Sequence, residues 1–311
     1  MSINTDLHAE KLFGTKTIQL SERSDVSDES KTQQFRLVPA SWIDLKLQHY
    51  LGLYSDRLMW WCNSAPPNFG DWIGPDIFKQ KRGVWPKLAP VYLRPNNAPV
   101  YLTAGSILGS CSVADVAIVW GSGIMTKNAQ FAAPREIHAV RGPLTAARCR
   151  ELGYQCPDIF GDPGILLPNF YPKTSGSNFQ LGIIPHFVDQ KLARLVIDST
   201  PEVKFIDVTK SVADVISDIQ SCELLISSSL HGIIIAHAFG RPCAWVRFGK
   251  TLAGDDTKFH DYYKSAGFSV EQNATTIDRT VSITDLKKLS QQSPVPDLLT
   301  AADRLMDVCP F

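Results

Sequence analysis

The sequence predicts an α/β protein made of two doubly wound, Rossmann-like domains that face each other across a cleft. Three observations carry this. Short apolar runs of strand length alternate with segments of helical length and spacing along most of the chain. The alternation pauses at a small polar stretch, 175–178 (SGSN), which suits a linker, and then restarts. Finally, 311 residues exceed what one hydrophobic core usually serves, so two domains with separate interiors are expected.

Composition narrows the function. Lysine plus arginine total 31, as do aspartate plus glutamate, so the chain lacks the broad positive field of a nucleic-acid binder. Any anion site must then be local. The seven cysteines are odd in number, scattered and without CxxC spacing, which favours a reduced, cytoplasmic protein. With no HExxH, Walker loop or carboxylate-rich spacing either, neither a metal nor a cofactor is expected. The first residues lack the basic start and apolar core of a secretory signal. No apolar run approaches the ~20 residues of a membrane-spanning helix, which leaves peripheral attachment at the inner face of a membrane open.

Residues 1–40, with the run SERSDVSDESKTQQ, form a loose polar lead-in; the domains are placed at 41–175 and 176–311. In the first, 57–62 (RLMWWC) is a buried strand running into a proline- and glycine-rich turn. There Asp71 is placed to cap a helix carrying Trp72, Ile73, Ile77 and Phe78. Strands follow at 99–104 and 115–120, the latter ending in Gly121, Ser122 and Gly123, which suit either a tight turn or a close approach of backbone to ligand. A strand at 137–140 meets a helix at Pro143, with Arg141 at the junction, and Gly153 stops that helix. Asp162 stabilises the GDPG turn at 161–164. The second domain reads as strands at 181–185, 204–208, 224–227 and 243–246 with helices at 188–198, 211–221 and 231–239. A last helical segment at 294–303 is expected to return to the first domain.

The stretch 224–242 (LLISSSLHGIIIAHAFGRP) draws the chemistry together. A strand ends in Ser227, Ser228 and Ser229, and a helix begins beside His231. Serines there can cap the helix, while free amides of its first turn offer an anion site beyond the carboxyl end of a strand. His231 can exchange a proton near neutral pH; a neutral, hydrogen-bonded core histidine is the competing role. His237, six residues on, falls on another face and suits core packing. His186, after its own strand, either lines the same site or caps a turn.

Six motifs in order resemble the polysaccharide pyruvyl transferase family: Asn68-Phe69-Gly70-Asp71, Arg141-Gly142-Pro143, Gly161-Asp162-Pro163-Gly164, Ile184-Pro185-His186, the Ser227 to Gly232 elbow and Phe259-His260-Asp261-Tyr262-Tyr263. The resemblance spans roughly residues 57–268. It implies a fold like the two-domain B-type glycosyltransferases, phosphoenolpyruvate as donor, and as acceptor a sugar of a cell-surface polysaccharide or its lipid-linked precursor. Part of the family carries an arginine two residues before the elbow histidine, where this chain has Ser229.

Ketal formation from phosphoenolpyruvate needs protonation of the enol methylene, attack by a sugar hydroxyl, loss of phosphate and closure by a second hydroxyl. Cations and helix N-termini must converge on the donor's two anionic groups. Arg141 is the first cation candidate, then Arg247 and Lys250; Arg241 suits a solvated turn equally well. His231 is the expected proton carrier, and Asp71, held by Asn68, the group that orients or deprotonates the acceptor. Gly70, Gly121, Ser122, His186, Ser227, Ser228, Ser229 and His260 complete the expected binding surface. A sugar-nucleotide glycosyltransferase and a non-catalytic glycan-binding protein remain alternatives, separated by donor consumption and by phosphate release.

Overall fold

A computed structural model describes residues 57–61, 67–89, 99–110, 114–174, 176–249, 254–269 and 271–311. The lead-in, Cys62, Ser175 and Lys250 fall outside these residues. Among the described residues, ten strands form two five-stranded sheets. The first holds β1 (Arg57–Met59), β2 (Lys87–Leu88), β3 (Val100–Leu102), β4 (Ala117–Trp120) and β5 (Glu136–Ala139), all parallel, in the order β2-β1-β3-β4-β5. The second holds β6 (Phe179–Ile184), β7 (Val203–Phe205), β8 (Cys222–Ser227), β9 (Cys243–Phe248) and β10 (Thr275–Ile277), all parallel, in the order β10-β9-β8-β6-β7.

Counted from its own first strand, each sheet has the flavodoxin-like order 2-1-3-4-5. The halves are therefore structural repeats although their sequences are not alike. In this order the chain switches direction between the first and third strands, and loops leaving their carboxyl ends part to make a crevice. The two crevices lie at β1/β3 and β6/β8.

Among the described residues, eight helices flank the sheets: α1 (Phe69–Arg82), α2 (Pro143–Glu151), α3 (Gln190–Val196), α4 (Val212–Gln220), α5 (Leu230–Ala238), α6 (Thr257–Ser265), α7 (Ile283–Gln291) and α8 (Leu299–Asp307). Strand alternation sends successive residues to different layers. Leu58 joins an apolar core that also contains Ile184 and Ile233 of the second half, whereas Met59 joins a core confined to the first. A third core, with Leu181, Val246 and Phe248, belongs to the second sheet alone. The shared core thus replaces much of the cleft expected between the domains with packed side chains, which favours a fixed relative placement over free hinging. Helix α5 is buried along nearly its whole length, as its apolar sequence requires.

The element boundaries depart from the sequence reading where local chemistry is short-ranged. A 3-10 turn, Ala114–Val116, precedes β4, and the GDPG turn opens a seven-residue 3-10 helix, Pro163–Asn169, with Asp162 as its cap. The cap of α1 is Asn68, whose side chain accepts from the Gly70 amide at 3.4 Å; Asp71 lies inside the first turn and is not the cap. The chain's end returns to the first sheet. Trp120 Nε1 donates to Leu305 O at 2.8 Å, and the Phe311 ring lies 4.8 to 5.3 Å from the rings of Phe78, Tyr101 and Trp120.

Polar links tie the halves together beside the shared core. The Phe69 amide donates to Val208 O at 2.8 Å. More extensively, Asp261 of α6 sits against the start of α2, accepting from the Leu144 and Thr145 amides at 2.8 and 3.0 Å and from Thr145 Oγ1 at 2.6 Å. A carboxylate there satisfies amides the helix cannot. Arg141 completes the lock: Nε donates to Asp261 Oδ2 at 3.2 Å and the other nitrogens to Ser106 Oγ and Ile124 O, both at 2.6 Å. Both charged side chains are fully buried. Gly142 allows the approach, because a Cβ there would lie 2.1 Å from Asp261 O.

Arg141→Ala would leave the Asp261 charge buried with only neutral partners. We expect a loss of about 3–5 kcal/mol, the usual cost of removing one partner of a buried pair. Denaturant unfolding of parent and variant measures this; a change under 1 kcal/mol would contradict the role assigned to the lock.

Candidate functional site

The site forms where the two crevices meet. Loop residues after β1 run into Asn68 and α1, while β6 ends before His186 and β8 ends in the three serines. The elbow is held open by its own hydroxyls. Ser227 Oγ reaches Ile184 O at 3.0 Å and Ser229 O at 2.9 Å, and it accepts from the Ser229 amide at 3.0 Å. Ser228 Oγ donates to Asp189 Oδ2 at 2.6 Å and accepts from the His186 amide at 2.9 Å. These two serines therefore bind β6 to β8 and fix His186. Ser229, at the cap position of α5, makes no side-chain capping bond, so the first amides of that helix stay without a side-chain cap.

His231 follows in the first turn of α5 and is gripped by the other half of the molecule. Its Nε2 faces Asp162 Oδ2 at 3.5 Å, long for a hydrogen bond, and neither atom has another partner among the described residues. On the other side, a Cβ on Gly70 would lie 2.2 Å from Nδ1, so only glycine lets the first turn of α1 press on the imidazole. Burial alone would raise the Asp162 carboxyl, but the facing imidazole, the Gly164 amide and the Arg141 charge outweigh it and hold it below the usual range. An ionised Asp162 can orient the His231 ring and support positive charge on it, the role a buried carboxylate plays beside a proton-shuttling histidine.

Three more ionisable groups converge. Burial pushes Asp71 up to about 6, with His231, Asn68 and Lys258 pulling partly back. Burial, then Lys258 and His231, push His186 down to about 4, so its ring is neutral at pH 7. His186 Nδ1 lies 3.5 Å from the Val188 amide, long for a hydrogen bond. Burial, then the Arg141 guanidinium, hold the Lys258 ammonium below its ordinary range. Lys258 has no ion-pair or hydrogen-bond partner among the described residues, and a half-buried cation in that state is a natural seat for an anion.

The remaining expected site residues are placed elsewhere. Arg141 is sealed inside the interdomain lock with no exposed surface, and its anion is Asp261 rather than a ligand. Gly121 takes φ +84 and packs against Pro163, while Ser122 is fully buried with Oγ donating to Gly105 O at 3.0 Å; both shape a turn. Arg247 pairs with Asp256, and His260 stands 3.7 Å from Glu271 and edge-on to Trp245. Lys250 lies outside the described residues. His237 packs in the core, as its position on α5 suggests, with Nδ1 2.9 Å from Tyr262 Oη.

Sequence reading missed Lys258 and the part of Asp162 that faces His231. The signal for Lys258 was available: a helix over 257–265 puts it three residues before Asp261 and on the same face. Asp162 gave no such signal, because Oδ1 caps Gly164 as the GDPG turn predicts and Oδ2 meets a residue 69 positions later.

A family model described as polysaccharide pyruvyl transferase matches residues 22–248. The chain belongs to this family. The membership makes it a transferase acting on polysaccharide. Over 200 residues it is 35% identical to the uncharacterized protein L143 of Acanthamoeba polyphaga mimivirus, covering 61% of this chain and 69% of that one. Over 139 residues it is 30% identical to the succinoglycan biosynthesis protein ExoV of Rhizobium meliloti, covering 42% and 41%. A crystal structure of a functionally uncharacterized protein from Klebsiella pneumoniae superposes with a TM-score of 0.39 at 13% identity, over 76% of this chain and 99% of the other. The fold rests on strand order, not on that likeness. No helix among the described residues is long and apolar enough to cross a membrane.

Asp71 supplies a direct test of the site's electrostatics. Its folded pKa is raised, so its contribution to stability is full below the unfolded value near 3.8 and is lost as pH rises through about 6. Asp71→Asn cannot ionise. The stability difference should therefore shift in the variant's favour between pH 4 and 7, by up to about 3 kcal/mol less solvent screening. Paired melts across that range check it; a difference that does not change with pH would contradict the burial of a charged Asp71.

Proposed function

We propose that the protein transfers pyruvate from phosphoenolpyruvate to two hydroxyls of one sugar as a ketal, releasing phosphate. The acceptor sugar belongs to a cell-surface polysaccharide or its lipid-linked precursor, and the reaction takes place in the cytoplasm or at the inner membrane face. The family and the ExoV likeness support the class of reaction. The observation that carries the reading is the meeting of an unpaired Lys258, the side-chain-uncapped start of α5, His231 and Asp71 at the carboxyl ends of both sheets. A B-type glycosyltransferase plan is part of this proposal, since two like halves share one site between them.

In this mechanism Lys258 and the α5 amides hold the donor's anionic groups, and neutral His186 donates through its ring N–H. His231, oriented by Asp162, delivers the proton that turns the enol methylene into a methyl group. Asp71, poised near 6, takes the proton of the first attacking hydroxyl. Phosphate leaves and the second hydroxyl closes the ring; of the two hydroxyl protons one replaces that given to carbon and the other leaves with phosphate. With Ser229 at the position where part of the family carries arginine, Lys258 serves as the cation of the donor pocket.

Purified protein incubated with phosphoenolpyruvate and an extract of lipid-linked sugars should yield a sugar heavier by one pyruvate ketal, seen by mass spectrometry, with stoichiometric phosphate. Lys258→Met should raise the KM for phosphoenolpyruvate tenfold or more, as expected for losing about 1.5–3 kcal/mol of charge-assisted binding. Consumption of a nucleotide sugar in place of phosphoenolpyruvate would overturn the donor, and an unchanged KM would remove Lys258 from its pocket.

A further inference from the structure

We propose that Cys149 and Cys156 form a dithiol that peroxide oxidises: Cys156 becomes a sulfenic acid, and Cys149 resolves it into an intramolecular disulfide. Cys149 stands in the last turn of α2, and Cys156 follows seven positions later. The chain folds back between them. Gly153, at φ +83, ends the helix; its amide donates to Arg150 O at 2.9 Å, and the Tyr154 amide donates to Cys149 O at 2.9 Å. Arg150 Nη2 then donates to Cys156 O at 2.8 Å, and Tyr154 Oη anchors the loop on Phe131 O at 2.8 Å. Cys156 therefore packs against the core of the first half in which Cys149 is buried, and the two thiols hydrogen-bond to each other.

The two sulfurs are placed for different tasks. Cys149 is fully buried, whereas Cys156 is partly exposed and walls an open hollow of about 750 Å³ between the segment 133–138 and the loop 153–157. Hydrogen bonding to Cys149, with the Arg150 charge, outweighs burial and the Asp158 and Asp261 charges and holds the Cys156 thiol below its ordinary range. The same bond, with burial, pushes the Cys149 thiol up. Cys156 is thus the sulfur that a small oxidant reaches as a thiolate, and Cys149 is the sulfur beside it that solvent does not reach. The other thiols of the described residues lack this arrangement, since burial pushes Cys222, Cys243 and Cys309 up.

The chemistry closes on these two groups and one hydroperoxide. The Cys156 thiolate attacks a peroxide oxygen; the O–O bond breaks, the other oxygen leaves and takes up a proton, and Cys156 carries S–OH. The Cys149 sulfur then gives up its proton, attacks the Cys156 sulfur and displaces hydroxide, which takes that proton to become water. An S–S bond has replaced two S–H bonds, and the two electrons lost by the dithiol have reduced the peroxide. In a reducing compartment such a pair is oxidised transiently and returns to thiols. The site stands apart from the pyruvyl transfer reading, because α2 meets Asp261 with its first turn and carries Cys149 in its last.

Peptide mapping tests it. Full-length protein, reduced and freed of reductant, is treated with equimolar hydrogen peroxide, blocked with iodoacetamide and digested with trypsin without reduction. Cleavage after Arg148 and Arg150 separates the two cysteines, so the disulfide appears as peptide 149–150 joined to peptide 151–173. This joined species should form, disappear with dithiothreitol, and exceed oxidation at Cys309 at least about tenfold. Cys149→Ser should halt the sequence at its first step, with Cys156 labelled by the sulfenic-acid reagent dimedone, while Cys156→Ser should leave Cys149 reduced. A melting transition confirms that each variant is folded. Absence of the joined peptide from the parent protein, equal oxidation of Cys309, or no dimedone label on Cys156 in folded Cys149→Ser would each overturn the proposal.

Discussion

The grip of the first half on His231 is the constraint from which the rest of the site follows. One ring nitrogen faces Asp162 and the other is pressed by Gly70, both from the half that does not contain the histidine. The imidazole is therefore placed only when the halves are docked, and docking in turn buries Asp71, His186 and Lys258. Each then leaves its ordinary pKa in the direction that burial demands: the acid up, the bases down. The fold gives up stability here to keep ionisable groups dry and close, as expected of a chemical site rather than of a core.

Docking is secured by devices that use the same physics for a different end. Among the helices that begin near the interface, two differ in how their first amides are met. The start of α2 is filled by the Asp261 carboxylate, which Arg141 neutralises, so that anion site is closed by the protein itself. The start of α5 has no such carboxylate and no capping side chain. Helix α6 serves both: Asp261 locks the halves, while Lys258, one turn earlier, leaves its cation without an ion pair among the described residues, near Asp71 and His186. An apolar core continuous between the sheets then holds this geometry without a large hinge motion.

Much of this was legible in the sequence, for definite reasons. Alternating strand and helix patterns gave the α/β class because burial on both faces of a parallel strand leaves a plain apolar run. The serine elbow and His231 were legible because a strand end, a helix start and a titratable residue fall within a few positions. The sequence points to Asp71 as the cap that Asn68 makes, since both suit a cap and only three-dimensional geometry decides. Arg141 departs from its sequence expectation for a physical reason: a cation at a strand-to-helix junction looks the same whether its anion is a ligand or Asp261, 120 residues away. Strands β2 and β10, two and three residues long, carry too little pattern to be seen, and the equal strand order of the halves lies in connections and not in residue identity.

The central claim is that Asp71 and His231, from opposite halves, act as one unit in the chemical step. A double-mutant cycle on kcat tests it most directly, using Asp71→Asn, His231→Asn and the pair. Groups that work as a unit give strongly non-additive losses, so each single change should cost on the order of 10²-fold and the pair scarcely more. Losses that multiply in the double variant would show two independent groups and contradict the account.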